Sequence, residues 1–284
     1  MRVQLRCGGR TLDLQRPVVM GVLNLTPDSF SDGGRCVEPD QALARALALA
    51  AEGAAIIDLG GESTRPGADP VTAEEERSRV LPVLERLRPR THAILSVDTS
   101  KPELMRAAAA AGADLINDVY ALRAPGALEA AAESSCAVCL MHMQGEPRTM
   151  QRAPQYTDVV AEVHAFLRER VGACRAAGIA DERLVLDPGF GFGKTLEHNL
   201  TLLRHLEELR IDGLPILAGL SRKSMIGTIT GKLSRERVHG SVAAALIAAQ
   251  NGARILRVHD VAATVDALKV LAALTGGPGE PERQ

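Results

Sequence analysis

A short unit recurs along the chain and constrains the fold more than any other feature of the sequence. An Ala-rich segment leads into a glycine, and a short apolar run follows, in GAAIIDLGG from Gly53, GADLINDV from Gly112 and GARILRVHD from Gly252. A looser copy runs from Gly178 into LVLDPG. Glycine suits the left-handed position that ends a helix, and a short apolar run is typical of a buried parallel strand. The pattern therefore predicts alternating helices and strands.

Eight such strands are predicted, with helical segments between them. They are Val18–Leu23, Ala55–Leu59, Ala93–Val97, Asp114–Asn117, Ala137–Met141, Arg183–Leu186, Pro215–Ala218 and Arg254–Val258. Eight strands alternating with helices over roughly 260 residues indicate the α/β class and a (β/α)8 TIM barrel. A doubly wound open sheet is the alternative. Capping-box spacing predicts two helix starts, at Thr72 with Glu75 and at Ser100 with Glu103.

The two ends of the chain are expected to lie outside the barrel itself. The first residues, MRVQLRCGGRTLDLQRP, alternate in polarity and turn at Gly8-Gly9, which predicts an N-terminal β-hairpin and not a signal peptide. The tail GGPGEPERQ, residues 276–284, is expected to be disordered. Residues 1–275 are then interpreted as a single domain.

Composition and charge argue against several classes of partner. A net charge of -2 gives no electrostatic reason to bind nucleic acid or an anionic membrane. No apolar run approaches the ~18 residues of a membrane span. Five cysteines, an odd number, indicate free thiols in a reducing cytoplasm. Cys136 and Cys139 form a CxxC pair, but positions three apart on a strand face opposite sides, so we expect two separate buried thiols.

Polar residues follow the predicted strands at the end where barrels of this class place their active sites. They are Asn24, Asp58, Asp98, Asn117, His142, Asp187, Ser221 and His259. A polar residue at such a position often caps the following helix, but eight of them at one mouth favour a binding pocket. Carboxylates and amides there would offer donors and acceptors to a flat, polar ligand.

Two long loops and two basic motifs indicate that the ligand is anionic. NLTPDSFSDGG and GGESTRPGADP combine glycines with hydroxyls and with Asp or Arg, which suits contact with phosphate or a metal ion. The run Ser221-Arg222-Lys223-Ser224 follows the seventh strand, and Arg257-x-His259 ends the eighth. This region of a TIM barrel commonly binds phosphate.

The stretch DPGFGFGKT looks like a phosphate-binding loop of nucleotide hydrolases, but its spacing disagrees. Gly189 and Gly193 enclose three residues, whereas that loop requires four before Gly-Lys-Thr. We expect instead that Asp187 faces the pocket and that Phe190 and Phe192 help to wall in a planar ring. A core-packing role for one of the two phenylalanines is the alternative.

Longer motifs carry a resemblance to a known family. GVLNLTPDSFSDGG, DLGGESTRPGA, SVDTSKP, GADLINDV, LMHMQGEPRTMQ, LVLDPGFGFGK, GLSRKS and RVHDV follow one another in this order. Together they resemble the bacterial dihydropteroate synthases over residues 17 to 274. The resemblance implies condensation of 6-hydroxymethyl-7,8-dihydropterin pyrophosphate with p-aminobenzoate, with Mg2+ required, by a cytoplasmic homodimer. It also implies competition by sulfonamides at the aminobenzoate site.

The resemblance assigns roles to residues of this sequence. The residues implied to bind the pterin edge are Asp98, Asn117, Asp187 and Lys223. Arg257 is implied to stack on the pterin ring. The residues implied to shape the pocket around the ring are Met141, Phe192 and Gly219. Those implied to hold pyrophosphate are Asn24, Arg257 and His259, with Asn24 and Asp32 on Mg2+. The loop residues implied to close over the site are Ser29, Phe30, Thr64, Arg65 and Pro66. Ser224 is implied to meet the aminobenzoate carboxylate.

The chemistry of these residues agrees with that reaction. Arg257, His259 and Mg2+ would stabilise the charge that develops on a departing pyrophosphate. Asp98 and Asp187 would lie near a ring that becomes cationic if pyrophosphate leaves first, which favours a dissociative pathway. No side chain stands out as a nucleophile for a covalent intermediate. A non-catalytic pterin-binding paralogue and a methyltetrahydrofolate methyltransferase-like domain remain as alternatives.

Overall fold

A computed structural model describes residues 3–26, 39–63, 69–146 and 149–275. Its strands are β1 (Gln4–Cys7), β2 (Arg10–Asp13), β3 (Val18–Asn24), β4 (Ile56–Gly60), β5 (Ile94–Asp98), β6 (Leu115–Asp118), β7 (Ala137–Met141), β8 (Leu184–Asp187), β9 (Ile216–Ala218) and β10 (Ala253–Val258). β1 and β2 form an antiparallel hairpin, and the other eight close into a parallel barrel in which β10 pairs with both β3 and β9. The closure confirms the TIM barrel and excludes the open sheet.

Helices surround the barrel between successive strands. They are α1 (Pro39–Ala51), α2 (Ala73–Leu87), α3 (Pro102–Ala110), α4 (Ala127–Glu133), α5 (Val159–Ala176), α6 (Leu196–Arg204), α7 (Ser224–Thr230), α8 (Val238–Gln250) and α9 (Val261–Leu274). Short 3-10 turns lie at Arg88–Arg90, Asp181–Arg183, Leu206–Leu209 and Ser234–Glu236. Among the described residues, no helix is both long enough and apolar enough to cross a membrane.

The predicted strands agree with the observed ones to within one residue at either end. The reason is the repeated glycine, which fixes where each helix stops. Gly53, Gly112, Gly178 and Gly252 have φ between +84° and +102°. Side chains with a Cβ atom rarely adopt this conformation, so these positions favour glycine. The chain then enters the barrel strand within a few residues.

Helices begin near both predicted starts, but only one of the two predicted side-chain caps is present. Thr72 does cap α2, since its Oγ1 accepts a hydrogen bond from the backbone N of Glu75 at 3.1 Å. Ser100, in contrast, does not cap α3, which begins at Pro102 directly after Lys101. Proline has a φ already suited to the first turn and has no N–H that requires a cap. The helix therefore starts without a side-chain cap.

Side chains alternate between the inside of the barrel and the layer of helices. The lowest layer inside the barrel is apolar and includes Ile56, Ile94 and Leu115. The N-terminal hairpin packs Leu5 and Cys7 against this layer and so covers the lower end of the barrel. Polar side chains point into the barrel only above this layer. The alternation therefore gathers them at the carboxyl ends of the strands.

The outward-facing side chains pack against the helices in a second, larger apolar core. Leu59, Val97 and Ile116 belong to this core, each one position away from an inward-facing residue. Cys136 lies in the helix-side core, whereas Cys139 lies inside the barrel. This placement confirms that the two thiols face opposite sides.

Candidate active site

A fully buried carboxylate, Asp58, and a largely buried one, Asp98, share one guanidinium at the mouth of the barrel. Arg257 on β10 donates from Nε to Oδ2 of Asp58 at 2.7 Å and from Nη2 to Oδ2 of Asp98 at 2.7 Å. Asp58 also accepts from Oγ of Ser96 at 2.5 Å and from Nδ2 of Asn117 at 3.3 Å. The network joins four strands of the barrel. It holds each polar side chain in one orientation because each already has a partner.

The shared guanidinium leaves Asp98 as the group that takes up a proton near neutral pH. Burial alone would lower the pKa of Arg257, but the carboxylates of Asp58 and Asp98 raise it, so Arg257 stays charged. Burial raises the pKa of Asp98 to about 7, and the charge of Asp58 adds to that rise against the opposing effect of Arg257. One cation between two carboxylates cannot fully stabilise both negative charges.

A second acid–base pair lies on another side of the mouth. Asp187 ends β8, and its Oδ1 accepts from the backbone N of Gly189 at 2.7 Å. Lys223 lies just before α7 and donates to the carbonyl of Phe190. Burial lowers the pKa of Lys223 to about 8, although the charge of Asp187 opposes this shift. Burial likewise raises the pKa of Asp187, and Lys223 opposes it.

An apolar wall stands beside these charges. Phe192 is half-buried, and Nζ of Lys223 lies 4.7 Å from the centre of its ring. Phe192 packs with Met141 and two further methionines in a small cluster of its own. Phe190, in contrast, is fully buried in the helix-side core, so one of the two phenylalanines packs in the core. A planar ring could lie along this wall with its edge towards the carboxylates.

Gly219 lies close to the side chains of both Lys223 and Arg257. A Cβ atom at this position would lie 3.8 Å from Nζ of Lys223 and 3.9 Å from Cβ of Arg257. Any larger side chain would therefore extend between them. A glycine at this position therefore adds no side chain beside Lys223 and Arg257.

Asn24 and Asp98 lie on either side of Gly60 at the upper edge of the barrel. Asn24 pairs in register with Gly60, and Gly60 pairs with Asp98. A Cβ atom at Gly60 would lie 3.8 Å from Oδ1 of Asn24 and 3.7 Å from Cβ of Asp98. The amide oxygen of Asn24 is of the kind that Mg2+ accepts as a ligand. Asp32, the other predicted ligand, lies outside the described residues.

The described residues are compatible with a Mg2+ ion that is held in part by a bound anionic ligand. Residues 3–26, 39–63, 69–146 and 149–275 contain no group of three or more His, Cys, Asp or Glu side chains that could hold a metal ion. Mg2+ usually keeps several waters and binds through one or two protein oxygens together with substrate phosphates. A single amide oxygen beside an anionic ligand agrees with that pattern.

Ser221, which follows β9, and His259, which follows β10, lie next to each other. Oγ of Ser221 lies 3.1 Å from Nδ1 of His259 and accepts from the backbone N of His259 at 3.2 Å. Arg222 is held by Asp260 through two contacts of 3.0 and 2.5 Å. Of the two cations in the SRKS motif, Lys223 therefore lies at the pocket and Arg222 does not. Ser224 begins α7 and is exposed.

His142 does not face the mouth, which corrects the prediction that all eight strand-end side chains converge there. Its Nδ1 lies 3.0 Å from Nζ of Lys194, and its ring packs edge-on against Phe166 of α5. Burial lowers the pKa of His142 to about 2, so the ring is neutral. Met141 takes the inward position at the end of β7, so the next side chain points to the helices.

Comparison with known proteins identifies the family to which this barrel belongs. The pterin binding enzyme family matches residues 20–259. The dihydropteroate synthase of Escherichia coli (strain K12) is 55% identical over 271 residues, which cover 95% of this chain and 96% of that protein.

The chain belongs to the dihydropteroate synthase family.

Solved structures of the family superpose closely on this barrel. The Xanthomonas albilineans dihydropteroate synthase with 4-aminobenzoic acid gives a TM-score of 0.92 at 58% identity, with 98% of this chain and 100% of that one covered. The same organism's enzyme in complex with 7,8-dihydropteroate gives a TM-score of 0.88 at 56% identity, covering 97% of this chain and 100% of that one. The similarity extends over nearly the whole chain, so it includes every strand that carries the site.

Lys194, in the sequence Gly193-Lys194-Thr195, stabilises a loop of the protein. Its side chain is buried, and Nζ donates to the carbonyls of Gly189 at 2.9 Å and of Phe192 at 3.0 Å. Burial keeps its pKa well below the usual lysine range. The amine therefore ties down the loop that carries Phe192 and is not available to a phosphate group.

Asp58 is the residue of this dihydropteroate synthase barrel whose importance the sequence reading missed. The sequence pattern puts it at a strand end and assigns it no role, yet it is fully buried and lies at the centre of the network with Arg257 and Asp98. A charged residue in the middle of the apolar run IIDLG is itself a signal. On a strand whose neighbours Ile57 and Leu59 face the helices, an aspartate between them must point into the barrel.

Six of the predicted site residues lie outside the described part of the chain. They are Ser29, Phe30, Asp32, Thr64, Arg65 and Pro66. Their roles stay predictions.

Proposed function

We propose that this chain is a dihydropteroate synthase, a transferase of folate biosynthesis that condenses 6-hydroxymethyl-7,8-dihydropterin pyrophosphate with p-aminobenzoate. The products are 7,8-dihydropteroate and pyrophosphate. The observation that carries the proposal is the Arg257 guanidinium shared by Asp58 and Asp98, with Asp187 and Lys223 close enough to interact with its charge and the Phe192 ring beside Lys223. Membership of the family supports the same conclusion.

The pterin lies in the barrel mouth in this proposal. Its pyrimidinone edge carries N–H donors and a carbonyl acceptor, which match the carboxylates of Asp98 and Asp187, the amide of Asn117 and the ammonium of Lys223. Met141, Phe192 and Gly219 bound the ring. No hydrogen bond among the described residues engages Oδ1 of Asp98, so we assign that oxygen to the pterin and Oδ2 to Arg257.

The pyrophosphate group lies above the pterin, beside Asn24, Arg257 and His259. Arg257 carries a permanent positive charge there, and His259 is oriented by Ser221. Mg2+, held by Asn24 and Asp32, would neutralise charge on the phosphate oxygens and so make pyrophosphate a better leaving group. Loop residues Ser29 and Phe30 would close over the site.

Pyrophosphate departs before the new bond forms in the proposed pathway. Loss of the leaving group places positive charge on the pterin methylene, and the ionised carboxylates of Asp98 and Asp187 stabilise that charge through the ring. The aminobenzoate nitrogen then attacks the methylene carbon and loses its proton. Positional isotope exchange within labelled substrate, measured without aminobenzoate, tests this order. No exchange in an enzyme that turns over rapidly would argue for direct displacement.

The aminobenzoate lies towards the first turn of α7. Ser224 is exposed there, and we propose that its hydroxyl meets the carboxylate of aminobenzoate. Thr64, Arg65 and Pro66 of the second long loop would cover the ring, and sulfonamides would compete for this position.

We also propose that the enzyme is a cytoplasmic homodimer with one domain spanning residues 1–275, and that it binds neither nucleic acid nor membranes. Apolar side chains on α7, α8 and the segment between them are exposed, with Ile229 56%, Leu233 62% and Ile247 45% accessible. Exposed apolar groups near each other commonly mark an interface. A Leu233→Lys variant should shift the sedimentation profile towards the monomer, while a monomeric wild type would contradict the proposal.

Pyrophosphate release coupled to mass spectrometry of the product tests the function. The purified protein should form dihydropteroate only when the pterin pyrophosphate, Mg2+ and p-aminobenzoate are all present. Saturable binding of the pterin without product would favour a non-catalytic paralogue. Methyl transfer from methyltetrahydrofolate would favour the methyltransferase-like alternative, and no pterin binding would overturn the assignment of the pocket.

A further inference from the structure

A cavity of about 570 Å³ lies at the end of the barrel opposite the mouth. Val19, near the start of β3, lines this cavity, whereas Asn24 ends the same strand at the mouth. Five residues of a strand, at about 3.3 Å each, place the two positions about 16 Å apart. None of the residues assigned to the proposed pterin site lines the cavity. It is therefore a separate feature of the fold.

The inner wall of the cavity is apolar. Val19 lies on the barrel, and Val265, Leu268 and Leu271 of α9 lie along one side. Small-molecule sites generally enclose about 300 to 1,000 Å³ and are lined mainly by apolar side chains. The cavity falls inside that range.

The charged residues around the cavity are unbalanced. Arg16, Arg210, Arg254 and Lys269 contribute four positive charges, and Glu207 is the one carboxylate among the described residues that line the cavity. Asp266, beside the cavity, pairs with Lys269 at 3.4 Å, and an excess of positive charge remains. The whole chain carries a net charge of -2, so this local excess does not follow from composition. A negatively charged group would be attracted to this end of the barrel.

Two of the arginines have unused hydrogen-bonding capacity. Arg254 donates from Nη1 to the carbonyl of Gln15 at 3.3 Å, but its buried Nε has no partner among the described residues. No hydrogen bond or ion pair in the described part of the chain engages the guanidinium of Arg210. A buried N–H without an acceptor costs free energy, and a planar guanidinium pairs well with a carboxylate.

We propose that this cavity is a second binding site, for a small aliphatic carboxylate. The alkyl part of the ligand lies against Val19, Val265, Leu268 and Leu271. The carboxylate lies among the cations and accepts hydrogen bonds from Arg254 and from the neighbouring cations. The single negative charge and the apolar body are both needed, because the walls supply few other polar partners.

Octanoate is a suitable probe, with octanamide as its neutral equivalent. Methyl NMR of the full chain locates the probe, because the valines and leucines of the cavity and Met141 of the mouth give separate signals. We expect octanoate to shift the cavity signals saturably and to leave Met141 unchanged. The affinity for octanamide should be lower by about tenfold or more, since octanamide lacks the charge that the arginines recognise.

Matched substitutions test which cations bind the carboxylate. Arg254→Gln and Arg210→Gln should each weaken octanoate binding about tenfold, by removing a charge-assisted hydrogen bond. Arg204→Gln removes an exposed arginine of α6 that does not line the cavity, and it should bind octanoate as the wild type does. Arg210 is exposed, so its substitution is not expected to disturb folding.

Several outcomes would overturn the proposal. These are no saturable shift, shifts at Met141 in place of the cavity signals, or equal binding by octanamide. Cavity signals that move with protein concentration alone would mean that a second copy of the chain covers the site. Cavity signals that respond to Glu280→Gln with Glu282→Gln would mean that the C-terminal segment fills it.

Discussion

Arg257 donates a hydrogen bond of 2.7 Å from Nη2 to Oδ2 of Asp98, and this contact ties the last strand of the barrel to the third. The same guanidinium also donates to Asp58, so its one positive charge is shared between the two carboxylates. Asp98 is therefore costly to ionise in the folded protein. An aspartate whose ionisation costs folding free energy is more consistent with a catalytic role than with a stabilising one.

Asp98→Asn should remove activity and raise stability together. In the folded state burial raises the pKa of Asp98 to about 7, from about 4 in an unfolded chain. A raised carboxyl pKa favours the folded state at low pH, and that contribution is lost as pH rises from about 4 to about 7. At pH 8 the neutral amide should therefore stabilise the fold by ~1–3 kcal/mol over wild type, and at pH 4 by little.

Turnover and urea unfolding of the same variant check this prediction. The kcat of Asp98→Asn should fall by about a hundredfold or more, because the amide cannot stabilise a cationic ring. Asp266→Asn, on the exposed face of α9, is the control and should change neither quantity. Activity near that of wild type would remove Asp98 from the proposed catalytic residues.

The proposed reaction should have a narrow optimum between about pH 7 and pH 8. On the acid side kcat/KM falls as the carboxylate of Asp98, whose pKa is about 7, is protonated. On the alkaline side it falls as the ammonium of Lys223, whose pKa burial lowers to about 8, loses its proton. Both charged forms are required only if these groups bind the pterin. A flat profile from pH 6 to pH 9 would contradict these roles.

Asp58→Asn should change the pH profile as well as the rate. With Asp58 neutral, the guanidinium of Arg257 acts on Asp98 alone, so the pKa of Asp98 should fall and the acid limb should move below pH 7. Loss of a buried charged hydrogen bond should also reduce kcat/KM by about tenfold or more. A rate loss with an unmoved acid limb would indicate that Asp58 only supports the fold.

Lys194→Met should weaken binding of the pterin but not of aminobenzoate. The substitution leaves the carbonyls of Gly189 and Phe192 without their donor, and it frees the loop that carries the Phe192 ring. We expect a higher KM for the pterin pyrophosphate, an unchanged KM for aminobenzoate and a loss of ~1–3 kcal/mol in stability. Lys232→Met, at an exposed lysine, is the control. Equal increases in both KM values would argue against a local effect.

Most of the fold was predictable because local sequence determines it. Gly53, Gly112 and Gly252 each end a helix through their backbone conformation, and the apolar run that follows is typical of a buried parallel strand. Ser100 failed as a cap because Pro102 starts the helix without help, a competition that spacing rules do not weigh.

The sequence predicts which polar side chains lie at the ends of the strands but not the contacts that they make. The placement of Asp98, Asp187 and Lys223 at the mouth follows from the sequence, since strand ends converge in a barrel, and their roles in binding stay predictions. His142 was misplaced because a shift of one residue along a strand reverses the side on which a side chain lies. The pairing of Asp58 with Arg257 joins residues 199 positions apart, and no local pattern encodes it.

Calorimetric binding of 6-hydroxymethyl-7,8-dihydropterin pyrophosphate to the wild type and to Asp98→Asn is the most direct test that the barrel mouth is the pterin site. We predict saturable binding by the wild type at pH 8, and binding by the variant that is weaker by about tenfold or more, since a charged hydrogen bond is lost. Asp266→Asn should match the wild type. Equal affinity in all three proteins would contradict the assignment and place the pterin elsewhere.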